Sequence, residues 1–447
     1  MKYYQFQSLL LQSGWLNHAF VGVDAQGIIQ YLSHDRPAVT QVIEPVNGHA
    51  LPGFQNAHSH AFQYAMAGTA EKHAVGAQDD FWSWREAMYL SALGVDPDQM
   101  EAIATMLYAE MLRCGYTHVA EFHYLHHDKD GRPYANLSEM GERLIAAAKT
   151  AGIKITLIPI FYQKGGFNME PQPRQRRFIS PTIDEYFALL ESSAKTISSY
   201  ENARLGFGVH SLRAVEAQDI IQTFQQGPKD LPFHLHAAEQ VKEVDDCLAH
   251  WGKRPVEWLL ENLPVDNRFN IVHCTHLTDN ETEQLAKSGA HAVLCPGTEG
   301  NLGDGIFRLS DYSKHQGQWC IGTDSHISLN PLEDLRWLDY AQRFTTHRRN
   351  TFADGATTLI SQAWFAGQQA MGINPKDFFA IGQPLDAVVY NAAAPLLAQA
   401  GMHHVLPAIV YTADSHSVLG TIVNGKWVVE NGRHVRSEAI NHLFQNL

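Results

Sequence analysis

Between residues 50 and 382 the chain repeats one pattern: a short, continuous apolar run, then a stretch with helical periodicity. The apolar runs lie at 51–54, 118–122, 154–161, 205–209, 232–235, 270–273, 291–295 and 319–322. Continuous rather than alternating apolarity marks parallel strands covered on both faces. Helical spacing fills the gaps at 99–114, 137–151, 183–200, 217–225 and 278–288. Parallel strands need such crossovers, and eight strand–helix units imply an α/β fold, a (β/α)8 barrel with insertions. The alternative is an open doubly wound sheet; no Gly-x-Gly-x-x-Gly follows an early strand, which weighs against it.

The two ends of the chain read differently. Segments 20–23 and 28–31 flank Asp24-Ala25-Gln26-Gly27, a hairpin pattern. Segments 387–390, 408–411 and 417–423 are β-like, and Asn424-Gly425 between two apolar runs is a strong two-residue hairpin signal. Residues 1–49 and 383–447 are therefore expected to form one small β-sandwich domain from both termini, with 50–382 as the barrel.

Composition narrows the function classes. Lys and Arg number 33 against 47 Asp and Glu, a net charge of −14, which disfavours nucleic acid as a partner. The basic cluster Arg174, Arg176 and Arg177 sits in a loop-like stretch and reads as solvated. Five cysteines without a Cys-x-x-Cys pair argue for a reducing compartment. The first residues lack a signal-peptide pattern, and no apolar run approaches the ~20 residues of a membrane span. The expectation is a cytoplasmic protein with no membrane partner, assembled as a homodimer.

In a barrel of this kind the chemistry sits at the C-terminal ends of the strands. The first run leads into His58 and His60, two residues apart, so that in an extended segment both imidazoles point to one side. Further strand ends supply Glu121 to Tyr124, His210 to Arg213, His234, His236 and Glu239, His273 and His276, and Asp324 to His326. One histidine after an apolar run is ordinarily structural; polar groups at nearly every strand mouth are harder to dismiss. Three neutral imidazoles and one carboxylate suit one divalent metal with an open position, zinc first and iron second. The ligand set read from the chain is His58, His60, His236 and Asp324, with His234 as the alternative to His236.

The motifs GFQNAHSH, HLHAAEQ, HCTH and GTDSH, in that order, resemble the amidohydrolase superfamily, and the resemblance spans essentially the whole chain. It implies a distorted (β/α)8 barrel with one or two divalent metals. Neither Pro159-Ile160-Phe161 nor Gly208-Val209-His210 offers the bridging Lys or Glu of the two-metal members, so a mononuclear site is implied. His236-Ala237-Ala238-Glu239 is similar to the His-x-x-Glu of the deaminase branch, in which the Glu shuttles protons. The blocks 54–63, 81–86, 121–124, 209–213 and 298–305 are close to the branch that deiminates N-formimino-L-glutamate in histidine degradation. That likeness implies Glu239, His273 and Asp324 as catalytic residues. It also implies Gln63, Arg85, Tyr124, His210 and Arg213 as contacts to a small dicarboxylate substrate, since a guanidinium grips a carboxylate with paired hydrogen bonds. The rival expectation is a deaminase of guanine or a related heterocycle, with Trp82 and Trp84 as stacking surfaces.

Overall fold

The computed structural model describes residues 1–71, 81–349 and 351–446. Two sheets organise it. In the larger one, parallel strands stand side by side in chain order: Phe54–Ser59, Tyr116–His123, Lys154–Phe161, Phe207–Ser211, Phe233–Ala237, Phe269–His273, His291–Leu294 and Gln318–Ile321. These are barrel strands one to eight. Strand two illustrates why the runs are continuously apolar: every residue from Tyr116 to His123 is buried, as a strand covered on both faces requires.

The ring closes at its top. Ser59 of strand one bridges to Asp324 past strand eight, and the Asp324 amide donates to the His58 carbonyl at 3.0 Å. Lower on the same seam the helix Gly355–Ala370 packs Ala366 and Ala370 against Ala57 and Cys320. A Cβ on Gly367 would stand 2.7 Å from that of Gln55, so glycine is what lets this helix lie so close. The crossover helices begin at clear stop and start signals. Asp96 and Gln99 form a reciprocal capping box ahead of Pro97–Arg113, and Thr278 with Glu281 does the same for Asp279–Ser288. Such a cap contributes about 1 kcal/mol.

The second sheet joins both termini. Its order is Arg433–His434, Lys426–Glu430, Val418–Val423, Ala387–Asn391, Ile43–Pro52, Lys2–Leu11, Phe20–Val23 and Ile29–Ser33, with Gly14–Asn17 on the edge of Lys2–Leu11. Asn424 and Gly425 turn with φ of +46° and +68°, the left-handed pair that a two-residue hairpin needs. Among the described residues no helix is long and apolar enough to cross a membrane.

Three expectations are corrected. The run at 51–54 is not the first barrel strand: Leu51 and Pro52 finish the terminal-sheet strand Ile43–Pro52, and the barrel strand starts at Phe54. Pro52 has no amide to extend the ladder. Gly53 carries the chain between the sheets, where a Cβ would meet the Thr117 side chain at 2.2 Å. His58 therefore lies inside strand one rather than past its end. The stretch 408–411 belongs to the helix Val405–Thr412, whose buried Val405, Leu406, Ile409 and Val410 follow a helical period. Arg177 is fully buried rather than solvated. It donates to the carbonyls of Val95 at 2.6 Å and His127 at 2.9 Å, and also to that of Ala92, tying down the end of the helix Phe81–Gly94.

Candidate active site

The strand mouths converge as follows. His58 Nε2 lies 3.1 Å from both His60 Nε2 and His236 Nε2. Asp324 Oδ1 stands 3.4 Å from His58 Nε2 and 3.1 Å from His60 Nε2. All four side chains are buried. His60 Nδ1 faces the Phe122 carbonyl at 2.9 Å and His236 Nδ1 faces the His210 carbonyl at 2.9 Å. A carbonyl accepts only, so each ring carries a proton on Nδ1, and in its neutral form it turns the Nε2 lone pair to the cluster.

Electrostatics prepare the same state. Burial pushes the His58 imidazole down to about 3, and burial together with the neighbouring imidazoles holds His236 well below its ordinary value. Burial works against ionising Asp324, yet the His58 and His60 rings hold its carboxyl well below the usual range. Neutral imidazoles beside an ionised carboxylate are the protonation states of a metal-binding set. Tetrahedral ligands about 2.05 Å from zinc stand roughly 3.3 Å from one another, which matches the observed separations. The four residues fit a divalent ion. His234 does not compete with His236: its Nε2 donates to the Ala370 carbonyl at 2.9 Å, below the site. His123, His276 and His326 also stay outside the set.

Around this cluster lies a pocket of about 500 Å³, part of it open to solvent, lined by Gln63, Arg85, Tyr124, His210, Arg213, Glu239 and His273. Gln63 Nε2 donates to the Tyr124 hydroxyl at 3.0 Å. The Arg85 guanidinium stacks over the Trp82 ring at 4.4 Å. Buried Arg85 Nε and Arg213 Nη1 have no hydrogen-bond partner among the described residues. His273 Nε2 is 3.5 Å from Glu239 Oε1 and 3.9 Å from Asp324 Oδ2, while its Nδ1 is 3.3 Å from Glu299 Oε1. Burial opposes a charge on His273, but the surrounding Glu239, Glu299 and Asp324 carboxylates outweigh it and push its pKa up to about 10.

A model of the amidohydrolase family matches residues 49–428. The chain belongs to the amidohydrolase family. It is 43% identical over 441 residues to the formimidoylglutamate deiminase of Pseudomonas aeruginosa, covering 97% of this chain and 96% of that one. Among solved structures it is similar to an amidohydrolase from Brucella melitensis, at 40% identity and a TM-score of 0.92, covering 100% and 98% of the two chains. A zinc-bound adenosine deaminase from Xanthomonas campestris shares the fold at a TM-score of 0.80 and 21% identity, with 100% and 98% covered. The amidohydrolase family is metal-dependent, and the four converging ligands are where a divalent ion fits in this member.

Three carboxylates of this amidohydrolase site escaped the sequence reading. Glu299 accepts from the Cys295 amide at 2.8 Å and faces His273. Asp304 sits beside Glu239 and His273, and burial, then Glu239, pushes it up to about 9. Glu243 faces Arg213 Nη1 at 3.3 Å. Glu299 and Asp304 lie inside the block 298–305 already singled out for its likeness, which was the available signal. For Glu243 the signal was its spacing, four residues past Glu239 at the start of a helix.

Proposed function

We propose that the protein hydrolyses the formimino group of N-formimino-L-glutamate to a formyl group, releasing ammonia, with one divalent metal, zinc or secondarily iron, at His58, His60, His236 and Asp324. The observation that carries the reading is that two guanidinium groups, half-buried Arg85 and buried Arg213, each with a buried N–H that has no hydrogen-bond partner among the described residues, share one pocket with the metal-binding cluster. A dicarboxylate answers two such donors; an aromatic base would leave them unpaired, at about 1–3 kcal/mol each. The near full-length likeness to a formimidoylglutamate deiminase supports the same substrate.

The ion, when bound, supplies Lewis acidity that brings the pKa of water from about 15.7 towards 7. The chain's residues do the rest. Asp324 takes a proton from the attacking water as a C–O bond forms at the formimino carbon. His273, charged between its carboxylate neighbours, donates a hydrogen bond to that oxygen and fixes its approach. Glu239 places a proton on the imino nitrogen and makes the carbon electrophilic; the proton taken up by Asp324 then passes to the same nitrogen, the C–N bond breaks with ammonia as the leaving group, and the proton left on the new formyl oxygen returns to Glu239. Arg85, Arg213, Tyr124, His210 and Gln63 hold the glutamate part, so that remote binding energy aligns the reacting carbon. The five unpaired, buried cysteines support a reducing, cytoplasmic setting.

The test is ammonia release by the metal-loaded protein on N-formimino-L-glutamate, guanine and an adenine nucleoside, with N-formyl-L-glutamate identified as product. Efficient turnover of the first alone is expected. Preference for either heterocycle would overturn the reading.

A further inference from the structure

One buried carboxylate beside the site has no part in this scheme. Glu243, on the first turn of the helix Val241–Trp251, is 1% exposed. Its Oε2 accepts from the backbone amide of Glu239 at 3.0 Å and faces Arg213 Nη1 at 3.3 Å. Arg213 Nη2 in turn faces Glu239 Oε2 at 3.4 Å. The three groups close a ring that joins a substrate-gripping residue to the proton carrier. The contact between Arg213 and Glu243 is an ion pair out of hydrogen-bond alignment, and Arg213 Nη1 keeps its donor.

That ring poses a problem for the reaction. A substrate carboxylate arriving at Arg213 competes with Glu239 for the same guanidinium. Glu239 has to let go and turn to the reacting nitrogen. If nothing else held them, Arg213 would follow the substrate and the Glu239 backbone would shift, and a misplacement of about 1 Å can cost 10²-fold in rate. We propose that Glu243 is a positioning residue that couples the substrate clamp to the proton carrier: its charge keeps Arg213 in place, and its hydrogen bond fixes the main chain of Glu239 while that side chain leaves Arg213. The inference rests on the deimination reading and deepens it, since it makes proton delivery conditional on a carboxylate reaching Arg213.

The experiment uses the metal-loaded full chain with N-formimino-L-glutamate and two formimino monocarboxylates, each lacking one of its carboxylates. Glu243→Gln keeps an acceptor for the Glu239 amide but loses the charge facing Arg213. It should raise KM for the dicarboxylate about tenfold, the factor one charge-assisted contact supplies. It should leave kcat within about twofold, and leave one of the two monocarboxylates unaffected. Glu243→Asp keeps the charge but withdraws it by one methylene from the Glu239 amide. It should lower kcat on all three substrates and shift the pH profile of kcat. Metal content and thermal midpoint are read on both variants. An unchanged KM in Glu243→Gln, the same loss on every substrate in that variant, or an unchanged kcat in a folded Glu243→Asp would overturn the proposal. If Glu243→Asp fails to fold, the isosteric Gln variant decides alone. Failure of the unmodified protein on N-formimino-L-glutamate would instead sink the deimination reading, and the coupling with it.

Discussion

Arg85→Met is the cleanest probe of substrate choice. Arg213 is already flanked by Glu239 and Glu243, so removing it would strand two buried carboxylates and confuse the result. Arg85 has no carboxylate partner among the described residues; its guanidinium lies 4.4 Å above Trp82 and 5.5 Å from Tyr89. Methionine keeps an unbranched apolar stem against the Trp82 ring and removes only the charged head. The lost cation–π stack accounts for about 0.5–1 kcal/mol of local order. The lost bond to a substrate carboxylate is worth about 1.5–3 kcal/mol, which predicts a fall in kcat/KM of about 10- to 150-fold. The assay is ammonia release on N-formimino-L-glutamate and on the two formimino monocarboxylates. The loss should appear on the dicarboxylate and on one monocarboxylate, and vanish on the other, which lacks the group Arg85 holds. Equal losses on all three would refute the argument, because a deformed pocket penalises every substrate alike.

Three further outcomes follow from the site. Metal analysis should find one equivalent of divalent ion per chain, lost in His236→Ala and retained in His234→Ala; two equivalents would exclude the mononuclear site. Glu239→Gln should keep its metal while turnover falls about 10²–10⁴-fold, and near-normal turnover would remove Glu239 from proton transfer. Buried His123 and His234, both pushed down to about 3 by burial, stay neutral in the fold but charge near 6.5 once unfolded. Their folded pKa values are depressed, so their contribution is present above pH 6.5 and lost as pH falls from there towards 3, by about 1.4 kcal/mol per pH unit for each. The thermal midpoint should therefore drop between pH 7 and 5, and the drop should be shallower in His123→Asn; an unchanged slope would show that His123 is not held neutral.

How much of this could be read from the chain depends on the range of the interaction. The barrel was legible because burial on both faces forces continuous apolar runs, and those runs survive translation into strands within a residue or two. His58 and His60 were legible because a spacing of two is a local property. The start of strand one was not, because Leu51 and Phe54 are both apolar and only the pairing partner, Ala387 opposite Pro52, decides which sheet each joins. A four-residue run such as 408–411 fits a strand or a helix equally until its longer period is counted. Arg177 looked like a surface residue because the carbonyls it satisfies lie 50 to 85 residues away. The same holds for Glu299 and Asp304, whose meaning comes from His273 and Glu239 across the barrel mouth.

The backbone at that mouth carries a signature that no residue type announces. Among the described residues, Ala238, His273, Cys274, Asp324 and His326 have positive φ, from 49° to 74°, although none is glycine. Such conformations cost of order 1–3 kcal/mol each and persist only where the surroundings over-determine them. Here the surroundings are the strand ends themselves. The Asp324 amide donates to the His58 carbonyl at 3.0 Å, the Cys274 amide to Ala237 at 3.1 Å, and the His276 amide to Ala238 at 3.0 Å. Each of these bonds runs from a strained turn to the end of a neighbouring strand, so relaxing one turn would break the lateral bonding that closes the barrel. Strand-end hydrogen bonds thus offset the strain that aims His273 and Asp324 at a common point. A left-handed turn at residue 273 or 324 follows from the barrel's closure and not from local preference, and for that reason the ligand geometry appears only when all eight strands are in place.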